Sequence, residues 1–533
     1  MAAETRLQAS QSMLRWTPVG SDGDLARLTP SAVISPPAAA SVMRPRTTPR
    51  DALVVRAHVY RALLAALAVL SASLYALDDW RRYQTFRSAG YDVGIFDQAI
   101  RRYASFEAPV SSLKGVGFSL LGDHFSPILA VVAPLFWIWP DTRMLGLLLG
   151  ALVGASVFPV YSFSERRLGP GLALVTTTAY VFWWPIQGLV GFDFHEIAFA
   201  VPLVAWLIDS LDRGRRTTVV AICLVLLLVR EDMGFMLVMV AIILAGRRQF
   251  RLAGALAIAG VVAFELITKI AIPAFSPDGT WRYWAYPALG GDAQSAIAHI
   301  VQHPIDTARL FVSVSAKRVL LVCLFLPPTL LALMSPYVLL AIPILIERLL
   351  SSRPFLWSFS YQYNAILAPI LVLATVDTLA RITRRETSAM RVIRMLVVCM
   401  LAFTVVGGTV AARNLYTLHD VFTAKGWAMT ARMRADSGVI ARIPPHVCVE
   451  ADDRLIPHLI GRDYLVPPNG SEDIASWLAV DTSQKNTGGG AEVSPVARLA
   501  VARGQGFAEV WRSGPLRLLH RAGPANGLCG RVD

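Results

Sequence analysis

Residues 217–246 read TTVVAICLVLLLVREDMGFMLVMVAIILAG, two apolar arms of about 13 residues on either side of Arg230, Glu231 and Asp232. Basic clusters close both ends, Arg213, Arg215 and Arg216 before the stretch and Arg247, Arg248 and Arg251 after it. Short arginine-rich loops stay on the cytoplasmic side of a membrane, so the stretch is predicted to cross outward and return. Each arm gives about 20 Å of helix against about 30 Å of hydrocarbon. The apex and its three charges are therefore expected below the outer surface, in a protein-lined cavity where ionisable groups find partners or water.

The rest of the chain has the same character. It is 55% apolar and 16% charged, with a mean hydropathy of +0.51, against roughly 25% charge in soluble domains. Runs at 57–77, 143–163, 252–272 and 392–412 are each long enough to span. Further spans are predicted near 170–187, 196–211, 318–333, 336–350 and 363–380, about eleven in all with the two arms of the hairpin. The net charge of +13 collects in loops: Arg44 to Arg56, Arg166 and Arg167, Arg213 to Arg216, Arg247 to Arg251, and Arg381 to Arg385. Such a distribution orients a membrane protein and does not indicate nucleic-acid binding. With those loops inside, the run from Phe125 to Trp139, broken by Pro127 and Pro134, is too short to cross and is expected as an interfacial or re-entrant helix on the outer side.

The domain reading follows. Residues 1–50, rich in Ala, Pro, Ser, Thr and Arg, read as a disordered cytoplasmic tail. A retained first span begins near Val54, and the transmembrane domain runs over 51–412 with a long first outer loop at 78–142. Residues 413–533 read as a small extracytoplasmic α/β domain, with strand-like "HVCVE", "SWLAVD" and "FAEVWR" around a Gly-rich stretch at 488–490. The protein is thus expected in the cell membrane, multi-pass, with its N-terminus cytoplasmic. Cys223, Cys323 and Cys399 fall in apolar runs, whereas Cys448 and Cys529 lie in polar sequence and would be free to pair in an exported domain.

With this topology the distinctive motifs face outward: "YDVGIFDQ" (91–98), "GDHFSP" (122–127), "FDFHE" (192–196) and the "RED" apex. Asp92 and Asp97, brought together by a bend at Gly94, would offer a general base and an orienting or metal-binding partner. The plainer alternative caps a helix with Asp92 and pairs Asp97 with Arg101 four residues on. Asp193, His195 and Glu196 suit a cation or a phosphate, but also helix capping between aromatic anchors. Asp123 and His124 precede the interfacial helix. Arg230 balances one of Glu231 and Asp232 but not both, which implies a further cation, a substrate hydroxyl or a shifted pKa. Lys317 and Arg318 open a span from the outer side and supply positive charge for a lipid phosphate. Tyr361 and Tyr363 in "SYQYN" would line the cavity with hydroxyls. A divalent cation is compatible with these motifs but not specified by them.

The order "YDVGIFDQ", "HFSPILAVVAPL", "FDFHE", "VREDMG", "SYQYNAILAPI" and "DRLIPHL", over about 90–470, resembles a large family of bacterial and archaeal polytopic proteins known as a domain of unknown function. That family is in turn similar to the C-type (GT-C) glycosyltransferases, such as lipid-linked mannosyl- and aminoarabinosyltransferases. "SERRLG" at 164–169 resembles the basic end of one of their spans. The resemblance implies a polyprenyl-phosphate sugar donor, with Asp92 or Asp97 as the acid of the first outer loop. Beside this enzyme reading stand a secondary transporter, using the same acids along a path, and a noncatalytic cell-envelope assembly protein.

Overall fold

Gly146, Gly150 and Gly154 recur every fourth residue along the helix Arg143–Leu168, and they let the first helix, Pro49–Gln84, approach backbone to backbone. A Cβ at Gly154 would lie 2.8 Å from the Ala68 carbonyl oxygen, and one at Gly150 would strike that of Ala72. Close approach through small residues is how helices associate where lipid removes the hydrophobic drive. Gly234 and Gly260 do the same for Met233–Gly246 and Phe250–Leu266.

The structure is a computed structural model and describes residues 49–385, 387–411, 416–465, 475–483 and 494–522. The expected tail up to residue 48, the Gly-rich stretch at 488–490 and Cys529 lie outside the described residues. The hairpin expected over 217–246 is present as Arg216–Leu226 and Met233–Gly246, with the charged tripeptide in the turn between. The run after Phe125 forms a 3-10 turn, Pro127–Val132, followed by the short helix Ala133–Ile138.

Among the described residues four helices are long and apolar enough to cross a membrane: Val54–Gln84, Arg143–Leu168, Phe250–Phe275 and Gln362–Ile382. The count of about eleven is not reproduced by that measure. Several expected spans are shorter or interrupted helices. Pro170–Val181 gives way to Trp184–Val190, and 3-10 turns lead into Ala200–Asp212 and Ile342–Leu350. Proline accounts for much of this, because Pro185 and Pro343 each begin a fresh helical turn and cannot donate to the preceding one.

At one end of the bundle the basic loops converge on acids. Arg166 bridges Asp209 and Asp212, each at 2.7 Å, Arg167 bridges Asp212 and Asp377, and Arg381 pairs with Asp377 at 3.0 Å. The Arg143–Leu168 helix, 26 residues long, carries this network at its C-terminal end. Its other end lies about 39 Å away, at the end of the first loop, where Arg143 pairs with Asp141 at 2.7 Å.

The C-terminal part is a five-stranded mixed sheet of β1 (Cys448–Ala451), β2 (Tyr464–Leu465), β3 (Trp477–Asp481), β4 (Ala508–Ser513) and β5 (Leu516–His520), in the order β2-β1-β3-β5-β4. β1 pairs in parallel with β2 and β3, and β5 runs antiparallel to β3 and β4. The three strand-like segments of the sequence are β1, β3 and β4. Gly514, with φ +54°, takes the left-handed conformation that the tight β4–β5 turn demands. One face packs under the helix Pro495–Gly504 through Cys448, Leu478, Val480, Leu499 and Ala502. The other, through Val449, Ala451, Ala479 and Leu518, is continuous with the core of the helical bundle. Cys448 is disulfide-bonded, while Cys223, Cys323 and Cys399 are free thiols.

Candidate functional site

A cavity of about 640 Å³ opens where the hairpin apex meets the first loop. It gathers ten of the residues singled out by sequence: Asp92, Asp123, His124, His195, Glu196, Arg230, Glu231, Asp232, Tyr361 and Tyr363. The apex lies inside the bundle, as the short arms require, with Glu231 only 3% exposed. Arg230 grips Asp232 with two hydrogen bonds, at 2.7 and 2.5 Å, and reaches Glu347 at 3.7 Å. The carboxylate that Arg230 does not balance, Glu231, is met by His124, whose Nδ1 lies 2.7 Å from Oε1, and by the Phe125 N–H at 3.2 Å.

"YDVGIFDQ" begins with a single wide π-helical turn, Gly90–Gly94, that runs into the helix Ile95–Ala104. Such turns re-aim side chains and recur at functional sites. Here the turn points Asp92 at the cavity, where its Oδ1 lies 3.4 Å from His195 Nε2. The His195 ring is stacked on Phe192 and edge-on to Phe96. Burial alone would lower the His195 pKa, but the Asp92 and Glu196 carboxylates outweigh it and hold the imidazole above its usual range.

Across the cavity Lys114 bridges Asp123 at 2.9 Å, and the Tyr283 hydroxyl donates to the same carboxylate. Burial would raise the Asp123 pKa, yet His124 and Lys114 pull it below the ordinary carboxylate range. His124 stacks on the Tyr283 ring with centroids 4.0 Å apart. Burial would depress His124, but Glu231 drives it up to about 9. A histidine raised from 6.5 to about 9 stabilises the folded state fully below pH 6.5 and loses that contribution as pH rises through 9. The midpoint of thermal unfolding should therefore fall between pH 6.5 and 9 in wild type, with a visibly flatter profile in His124→Gln, measured by scanning fluorimetry. Equal slopes would remove the pair from the stability of this site.

Beyond the charged end the walls turn apolar. Met233, Met236, Phe264, Ile300, Ile342 and Ile346 line a slot, and Ile342 and Ile346 are 37% and 41% exposed at the outer surface of the bundle. The aromatic wall is held from behind: Arg348, 2% exposed, donates to the carbonyls of Leu356 and Tyr363 at 2.6 and 3.3 Å.

Four of the sequence candidates sit elsewhere. Asp97 is wholly buried and paired with Arg101, whose other donor reaches the Pro140 carbonyl at 3.0 Å. This is the i, i+4 pairing, and it turns the carboxylate away from the cavity. Asp193, held in a left-handed backbone conformation, accepts from Arg82 at 3.2 Å and from the Ala89 N–H at 2.9 Å, tying the first helix to the loop. Lys317 donates to the carbonyls of Leu349 and Leu310 at 2.6 and 3.0 Å and so caps the helix Ile342–Leu350. Arg318 is exposed and donates to Val312. Positive charge is supplied to the cavity instead by Lys114 and by Arg353, which lies over the Tyr283 ring at 5.3 Å. Lys114 was visible in principle: it is one of five lysines in a chain with 50 basic residues, alone in the first outer loop. Among the described residues no three His, Cys, Asp or Glu side chains gather as a metal centre.

Helices around an acid-bearing cavity, with a small sheet domain at their C-terminal end, make up a membrane-protein fold that solved structures share. ArnT of Cupriavidus metallidurans superposes with a TM-score of 0.51 in its apo state and 0.50 when bound to undecaprenyl phosphate, at 12% identity. The bound form covers 86% of this chain and 99% of ArnT. The apo oligosaccharyltransferase of Archaeoglobus fulgidus matches more loosely, with a TM-score of 0.44 and 12% identity over 80% of this chain and 70% of its own. The chain belongs to the family described as predicted membrane protein (DUF2079), whose profile matches residues 82–488. No curated protein matches it in sequence.

Proposed function

We propose that this protein is an integral membrane glycosyltransferase that moves a sugar from a polyprenyl-phosphate donor to an acceptor on the extracytoplasmic side. The observation that carries the reading is a single cavity with a carboxylate, Asp92, at a polar end bearing Lys114 and Arg353, and an apolar slot that opens at the bundle surface. A polyprenyl phosphate has the same two-part chemistry, and the ArnT neighbour carries undecaprenyl phosphate. In the proposed step the Asp92 carboxylate takes the proton of an acceptor hydroxyl as that oxygen attacks the anomeric carbon. The bond from that carbon to the phosphate oxygen breaks, and its electron pair leaves with the polyprenyl phosphate. Lys114 and Arg353 would stabilise the departing phosphate charge. We further propose that the shorter and interrupted helices complete a set of about eleven crossings, with the N-terminus cytoplasmic and the sheet domain exported.

The acids favour an enzyme over a transporter, because the charges of the cavity and those of the far arginine network lie at opposite ends of the bundle with apolar helix between. The test is binding of undecaprenyl phosphate to the purified full chain, read from tryptophan emission, since Trp281 and Trp284 line the cavity. The reading predicts saturable binding that weakens about tenfold in Lys114→Gln and Arg353→Gln, in line with loss of one charge-assisted contact. A glycan profile unchanged in a deletion strain, together with no binding, would overturn it.

A further inference from the structure

The segment Asp453 to Gly461, which leaves the sheet domain after β1, is wedged against the turn that carries Asp92. Asp453 meets it twice: its backbone carbonyl accepts from the Gly90 N–H at 2.9 Å, and its Oδ1 accepts from the Tyr91 N–H at 2.6 Å. Ile456 lies so close under Gly90 that a Cβ there would collide with it, and Ile460 with Leu113 fills the space beneath Gly94. Between these two isoleucines, the His458 ring sits against Tyr83 and Phe86, at 4.2 and 4.1 Å, and Thr142 donates to the Pro457 carbonyl at 3.4 Å. The contact therefore spans the end of the first helix, the π-helical turn and the start of the helix Arg143–Leu168.

Asp92 has little else to fix it. Its carboxylate is 26% exposed and its nearest ionic partner, His195, is at the long distance of 3.4 Å. The direction in which it points is set by the backbone of the two residues before it, and both of their N–H groups are held by Asp453. We infer that Asp453 is a positioning residue for Asp92, and that the candidate site is complete only when the C-terminal domain is docked on the first loop. The inference rests on the proposed role of Asp92. Asp453 is not itself among the residues that line the cavity; it acts through the backbone of the turn, at Gly90 and Tyr91.

The full chain carrying Asp453→Ala, Asp453→Asn or Asp92→Asn is compared with wild type in three measurements: amide exchange of the segment around Tyr91, undecaprenyl phosphate binding, and rescue of the deletion-strain glycan profile. Asp453→Ala removes the side-chain acceptor and should raise exchange at Tyr91 about tenfold, the cost of one hydrogen bond. It should lower the glycan product about 100-fold, as small misplacements of a reacting group do, with lipid binding unchanged. Asp453→Asn keeps an acceptor oxygen and should stay within about threefold of wild type. Where the alanine variant accumulates poorly, Asp453→Glu, which displaces the acceptor by one carbon, carries the same prediction. Unchanged exchange in Asp453→Ala, faster exchange without loss of product, or an Asn variant as impaired as Ala would each overturn the inference. Full product from Asp92→Asn would instead sink the proposed function and leave the exchange result standing.

Discussion

Asp92→Asn and Asp97→Asn are expected to fail in different ways. A general base removed from the reacting centre costs about 100- to 10,000-fold in rate, so Asp92→Asn should leave almost no glycan product in a complemented deletion strain. Its stability should barely change, because the Asp92 carboxylate is partly exposed and weakly paired. Asp97→Asn is the reverse case. Asp97 is fully buried against Arg101, whose side chain is 24% exposed. Breaking a buried pair from one side is costly, and with Arg101 partly solvated the loss should be about 2 kcal/mol. Thermal unfolding should show that loss, while product per folded molecule stays within about tenfold of wild type. A stable but inactive Asp97→Asn, beside an active Asp92→Asn, would reverse the assignment.

The two carboxylates also show where sequence reasoning reaches its limit. Five residues of spacing cannot say which acid faces the cavity, since the answer depends on a π-helical turn at Gly90–Gly94, a local widening with no composition of its own. The hairpin apex was legible because it followed from arm length and flanking charge, two quantities that the membrane itself constrains. Lys317 and Arg318 misled for the opposite reason. Their place at a helix start says nothing about direction, and Lys317 turns to the carbonyls that end a neighbouring helix. Glu347, Arg353 and Tyr283 came from loops and helix ends whose convergence is purely tertiary. The long helices were readable from apolar runs, while proline-broken ones looked continuous because the same residues satisfy a hydropathy window whether or not their hydrogen bonds are unbroken.

Arg498→Met should cripple the protein from a position outside the cavity. Arg498 is 1% exposed and bonds both Glu450 and Asp452, the latter at 2.9 Å. Glu450 lies in β1 and Asp452 directly after it, both buried, and removing the cation takes a paired charge from each, at a cost of about 3–5 kcal/mol. Burial pushes Asp452 up to about 6 even with Arg498 present to lower it. A carboxyl whose folded pKa lies above its unfolded one binds protons better when folded, so its burden on stability grows as pH rises from about 4 through 6. The variant should accordingly regain part of its loss at pH 5 relative to pH 7.5, a trend readable in amide exchange of β1 and β3. Asp452 is also the residue before Asp453, and the strand that Arg498 anchors is the one from which the Asp453–Gly461 wedge departs. Loosening β1 should thus free the Tyr91 N–H and reduce glycan product together with exchange protection. A variant that exchanges faster at β1 but not at Tyr91 would show that the wedge holds the first loop without help from the sheet.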